Sequence, residues 1–151
     1  MHKLRGIVAF IGRLFLGAIF LITAVCELLG WPTAEQFFLT TFSRWTTLHH
    51  NEVINWLAVE VPAWSMWIVL GAILLKLLGA LMLILGWHLR LGAVFLLVFL
   101  VPTTIIMHDF WHLAGSEGLL QTIMFLKNLA IVGGLLLVLA LHGNESQHKE
   151  G

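Results

Sequence analysis

The chain has 151 residues, 60% of them hydrophobic and only 11% Asp, Glu, Lys or Arg, with a formal net charge of zero. Soluble domains carry about 45–50% apolar and about 25% charged residues, so the composition describes a single domain built for an apolar solvent. The neutral balance offers no basic face to nucleic acid. The one cysteine excludes an internal disulfide, a CxxC pair and a cysteine-rich metal site.

In chain order, the first apolar run covers about residues 7–29 and is interrupted by Arg13 and Glu27. Its length and internal charges set it apart from the short apolar core of a signal peptide. Cys26 lies within it and reads as a buried small hydrophobe. Residues 30–62 are the one long polar-leaning segment, opened by the helix stop Gly30-Trp31-Pro32 and closed by Pro62. Two patches inside it, around Phe37, Phe38 and Phe42 and around Val53, Ile54 and Trp56, have helical spacing but are too short and polar to cross a bilayer. They predict amphipathic or re-entrant helices at the membrane surface or over the bundle mouth, with Asn51 as a capping residue.

Two further apolar runs, 64–85 and 89–108, are joined by the break Gly86-Trp87-His88-Leu89-Arg90. Each approaches the roughly 20 residues a spanning helix needs. Pro102 is tolerable in such a helix, with Thr103 and Thr104 available to satisfy the freed carbonyl. After the polar break from Asp109 to Glu117 a last run occupies about 119–141, and a polar tail fills 142–151. The fold class expected is an all-α membrane protein, a four-transmembrane-helix bundle with a helical segment between helices one and two.

Four spans put both termini on one side. That side holds Lys3, Arg5, Arg90 and Lys149 against Arg44 on the other, which predicts cytoplasmic termini. Trp31, Trp64, Trp67, Trp87 and Trp111 fall near the proposed helix ends, as an interfacial aromatic belt would. Gly71, Gly79 and Gly86 recur on one face of the second span and predict a close helix contact, within the chain or in a homodimer.

The charges inside the spans are the candidate site: Arg13, Glu27, Lys76 and Lys127, with Asn128 beside Lys127 and Asp109 at the outer rim. A charge at mid-bilayer costs about 2.5–3.5 kcal/mol, so each needs a partner, a water path or a reach to the surface. Arg13 is near enough to the cytoplasmic end to snorkel. With about 1.5 Å of rise per residue and flush outer helix ends, Glu27 lies roughly 5 Å deep, Lys127 about 12 Å and Lys76 about 18 Å. Depth alone favours Glu27–Lys127, while a long upward reach of Lys76 leaves Glu27–Lys76 open. The set reads either as a structural network or as a polar pocket for a small ligand.

His49, His50, His108 and His112 collect on the outer side. If helical, His108 and His112 share a face at a spacing that can hold a metal, with Asp109 out of the third ligand position; they are weak metal candidates. No serine or cysteine nucleophile has a base at a readable spacing, and no glycine-rich phosphate loop is present.

The stretches RLFLGAIFL (Arg13 to Leu21), LLKLLGALMLILG (Leu74 to Gly86), HDFW (His108 to Trp111) and FLKNLAIVGGLLLVLA (Phe125 to Ala140) resemble the DoxX family of small four-helix membrane proteins. The resemblance covers all four helices and places Arg13, Gly17, Phe20, Asn128 and Gly133-Gly134 on family positions. It implies an exchanged charge pair, because Glu27 stands where the family often has lysine and Lys76 where it often has an acid; this offsets the depth estimate and leaves Glu27–Lys76 and Glu27–Lys127 level. It further implies a bacterial inner-membrane subunit of a thiol-, sulfur- or oxidative-stress-linked redox complex, with a bound quinone or an oxidoreductase partner. The residues by themselves support a different expectation: a non-catalytic membrane scaffold, small-solute carrier or cargo-binding protein.

Overall fold

The computed structural model describes residues 2–49 and 51–141; His50 and the expected polar tail at 142–151 lie outside the described residues. Six α-helices follow in order: α1 His2–Leu29, α2 Trp31–Leu48, α3 Glu52–Ala63, α4 Ser65–Leu85, α5 Leu89–Met107 and α6 Gly115–Leu141, with a 3-10 turn at Phe110–His112 before α6. Helices α1, α4, α5 and α6 are long and apolar enough to cross a membrane. The chain is an all-α, four-span bundle with α2 and α3 inserted between the first and second spans.

Burial identifies the solvent. One third of the apolar window is buried in α4 and α5, but only 17% in α1 and α6. The middle pair therefore forms the spine, and α1 and α6 flank it. Large side chains such as Phe15, Ile22, Val98 and Leu137 remain exposed, which only a lipid surround makes favourable. Cys26 is exposed too, on α1, and not the buried hydrophobe expected. Its thiol is small and weakly polar, so a lipid-facing position suits it as well as a core position. The core proper gathers Phe20, Ala80, Leu83, Ala93, Leu96 and Leu135.

Small residues set how closely the spine packs, but the three glycines of the Gly71–Gly86 series have three different uses. A Cβ on Gly79 would stand 2.7 Å from Leu96 Cγ and 2.9 Å from the Gly92 carbonyl, so here α4 and α5 touch backbone to backbone. Gly86 has φ 72° and ends α4, with the Trp87 amide donating to the Met82 carbonyl at 3.0 Å; glycine adopts that left-handed geometry without strain. A Cβ on Gly71 would meet nothing within 4 Å, so this residue borders open space. No single glycine face exists to serve one contact. On the other side of α4, Gly17 admits Ile84 and the Ala80 carbonyl, and Gly134 of α6 meets Leu16 of α1.

Polar groups in the spans are mostly matched internally. Asn128 donates to the Thr104 hydroxyl at 3.1 Å, linking α6 to α5; such bonds in membranes are worth about 0.6 kcal/mol on average. Thr103 and Thr104 donate to the carbonyls of Phe99 and Leu100. They do not serve the Val98 carbonyl that Pro102 frees, because a threonine hydroxyl on a helix returns to the carbonyl of its own preceding turn.

The inserted helices differ in depth. Trp31, Ala34 and Phe38 of α2 pack on Ala24, Val69 and Ile73, so α2 roofs the half of the bundle opposite the α4–α5 turn. Trp31 is thus a packing residue in part, whereas Trp64, Trp67, Trp87 and Trp111 are exposed near helix ends. Asn51 caps α3 by accepting the Ile54 amide at 2.8 Å, and α3 buries no residue. Its exposed Val53, Trp56 and Val59 share a stripe, the pattern of a helix resting on an interface. An exposed ion pair, Arg44–Glu117 at 3.6 Å, ties α2 to α6 and contributes at most about 1 kcal/mol.

Candidate functional site: a cavity beneath α2

Lys76 is the largest fully buried side chain, 1% exposed at the middle of α4. Its Nζ donates to Glu27 Oε2 at the end of α1 and lies 4.8 Å from the centroid of the Phe99 ring on α5. A buried ammonium is tolerable only with such partners: the carboxylate supplies the opposite charge, and the ring face adds cation–π attraction. Phe99 is held in turn by an edge contact to Phe20, centroids 6.4 Å apart. Glu27 keeps 37% of its side chain exposed, so the pair has one sealed member and one accessible member.

Depth counted from the helix ends missed this pairing because those ends are not flush. Gly17 faces Ala80 and Ile84. Ten residues along antiparallel helices bring Glu27 level with about Ala72, so Lys76 lies only four residues deeper, roughly 6 Å. A lysine side chain spans that. The N-terminal end of α4 therefore overshoots the end of α1, and α2 fills the step.

The step is a cavity of about 520 Å³ between α2, α4 and α5. Phe38 of α2, Gly71 and Ala72 of α4, and Phe99 and Thr103 of α5 line it, with Glu27 and Lys76 among its few polar groups. The lining residues Phe37, Trp67 and Val98 are also exposed on the outside, so the cavity opens toward the surrounding lipid. Because the cavity opens sideways, its apolar lining is matched by lipid chains or by an apolar ligand.

Of the other expected residues, only His108 also lines the cavity. Lys127 is exposed on α6, its Nζ 3.4 Å from Met124 Sδ, so it does not pair with Glu27; it faces outward on a helix that barely meets α1. Asn128 serves the α5–α6 contact described above. The Arg13 guanidinium sits at the other end of the bundle, where a Cβ on Gly86 would be 3.2 Å from its Nη1. There it meets the carbonyl end of α4, favourable ground for a cation. The metal pair His108/His112 does not form. Helix α5 stops at Met107 and the chain turns through Phe110–His112, which breaks the four-residue spacing. His108 pairs with Gln121 at 2.7 Å, and His112 with Asp109 at 2.8 Å. Phe99 and Gly71 were missed as site residues. The signal for Gly71 was an absence of packing, which only the fold reveals.

No curated protein and no solved structure matches the chain. A family model described as HR-like lesion-inducing matches residues 5–141, a range that contains nearly all of the four spans and both inserted helices. This overturns the DoxX resemblance and, with it, the redox-subunit identity that rested on it. The stretches that carried the resemblance are apolar helices punctuated by glycine, and any tightly packed four-span bundle needs such stretches. On the extent of that match, the chain belongs to the HR-like lesion-inducing family.

Proposed function

We propose that the protein is a non-catalytic membrane component that receives a small amphiphile from the lipid phase, as a carrier or cargo-binding protein. The observation that carries this reading is the roughly 520 Å³ cavity, mostly apolar, open sideways, with Glu27, Lys76, Thr103 and His108 as its polar groups. Ligand sites are typically apolar hollows of about 300–1,000 Å³ with a few placed polar groups. The preferred occupant has an apolar body of that size and one hydrogen-bonding group directed at Glu27, the accessible member of the pair. The quinone expected from the DoxX resemblance loses that support and counts only as one amphiphile among many.

Gly71→Leu tests the reading, because its Cβ meets nothing within 4 Å and the longer side chain enters the cavity. Purified in mild detergent, the wild type is expected to retain a defined small molecule by mass spectrometry, and the variant to lose it with its melting temperature unchanged. If both carry only bulk phospholipid in equal amount, the cavity is a lipid crevice and the proposal falls.

The topology belongs to the same proposal. Both termini and the α4–α5 turn lie in the cytoplasm, and α2, α3 and the cavity mouth lie on the far side. Reporter fusions after residue 141 should report a cytoplasmic location, and fusions in the α2–α3 connection the opposite one. The reverse pattern would invert the leaflet from which the ligand is drawn.

A further inference from the structure

At the outer end of the bundle the last residue after α2 meets the connection between α5 and α6. His49, Asp109 and His112 there each bring a ligand-capable atom within 4.8 Å of the others. None of the three lines the cavity, so the cluster is a separate feature.

The geometry prepares His49 and Asp109 for a cation. His49 Nδ1 lies 2.9 Å from the Trp45 carbonyl. A carbonyl only accepts, so Nδ1 carries the proton and Nε2 keeps its lone pair. Metal-binding histidines are oriented in this way, by a carbonyl on the second nitrogen. The same ring stacks on Trp45, centroids 4.9 Å apart, and meets the His112 ring edge-on at 5.1 Å. Asp109 is 2% exposed. Its Oδ1 accepts from His112 Nδ1, while its Oδ2 is buried with no hydrogen-bond partner among the described residues. A buried carboxylate oxygen without a partner is costly, and a bound cation would remove that cost.

We propose that His49, Asp109 and His112 bind one divalent transition-metal ion of the zinc class. Two imidazoles and one carboxylate favour zinc, copper or nickel over magnesium and calcium, which prefer oxygen ligands. Three protein ligands leave one tetrahedral position for water or an incoming group. Ligand atoms held about 2.0–2.2 Å from zinc stand roughly 3.4 Å apart, so atoms now within 4.8 Å of one another need to close by no more than about 1.4 Å on binding. His112, exposed on a short 3-10 turn, is the residue free to move, and it exchanges its hydrogen bond to Asp109 for the ion. The ion fastens the end of α2 to the α5–α6 connection and so steadies the helix that roofs the cavity.

The test uses untagged full-length protein in detergent, stripped with chelator and titrated with Co²⁺ and Zn²⁺. One equivalent per chain is expected, with the visible absorption of a low-coordinate Co²⁺ site that Zn²⁺ abolishes. His49→Ala and His112→Ala should each weaken Zn²⁺ binding at least about tenfold, and Asp109→Asn should do likewise if it folds. His108→Ala, whose ring is engaged with Gln121, should bind as the wild type does. Undiminished binding in the His49→Ala/His112→Ala double variant would overturn the assignment and move the metal to other histidines of the chain. Failure of the wild type to bind one equivalent would overturn it as well.

Discussion

Replacing Glu27 with leucine is expected to destabilise the protein by about 3 kcal/mol, and replacing Lys76 with methionine by about 1 kcal/mol or less. The two members of the pair are not equivalent. Lys76 is sealed, and without Glu27 its ammonium keeps only the Phe99 ring. That is the uncompensated buried charge for which broken pairs cost about 3–5 kcal/mol. Glu27 is more than one-third exposed and can find water at the cavity mouth once Lys76 is gone. Removing both charges together, as Glu27→Leu/Lys76→Met, should return stability to within about 1 kcal/mol of wild type, because a matched apolar pair avoids both desolvation costs. Unfolding titrations on the four proteins of this double-mutant cycle measure the coupling directly. Equal losses from the two single variants would mean that Lys76 is not sealed as described. The same variants separate stability from binding: if the pair anchors a ligand, the double variant folds but retains no amphiphile.

The second large effect is expected at Gly79. An alanine there places Cβ against Leu96 and the Gly92 carbonyl at distances no real Cβ tolerates. The Leu96 side chain can rotate, but the backbone carbonyl cannot retreat without parting α4 from α5. Overpacking of this kind costs about 1–3 kcal/mol, while alanine recovers up to about 1 kcal/mol of helix propensity. Gly79→Ala should therefore lose about 1–2 kcal/mol, and Gly79→Leu about 3 kcal/mol or more. Gly12 and Gly133 provide the control, since nothing stands within 4 Å of a Cβ on either. Their alanine variants should be neutral or slightly stabilising. Thermal unfolding followed by size-exclusion chromatography would rank the variants, and a tolerant Gly79 would mean that the spine is not packed through this contact.

Much of the architecture was legible in the residues themselves. Long uncharged runs can only be satisfied by lipid, because a helix matches every backbone group internally and asks nothing of its surroundings except apolarity. Hence the four spans, the inserted amphipathic segment and the capping role open to Asn51 were all readable from local sequence. The family was not: glycine-punctuated apolar helices resemble one another too closely, and the match over residues 5–141 replaced the DoxX reading. The site was half legible. Glu27 and Lys76 stand out in the sequence as charges with nowhere to go. Whether Lys76 or Lys127 answers Glu27 depended on how far one helix slides past another, and Gly17 against Ala80 and Ile84 fixes that offset through shape alone. The same offset creates the cavity. The histidine cluster lay further out of reach, since it depends on where α5 stops and on α2 folding back to bring His49 beside Asp109 and His112. Local chemistry wrote the elements and their solvent into the chain, while contacts between residues distant in sequence decided which charges meet.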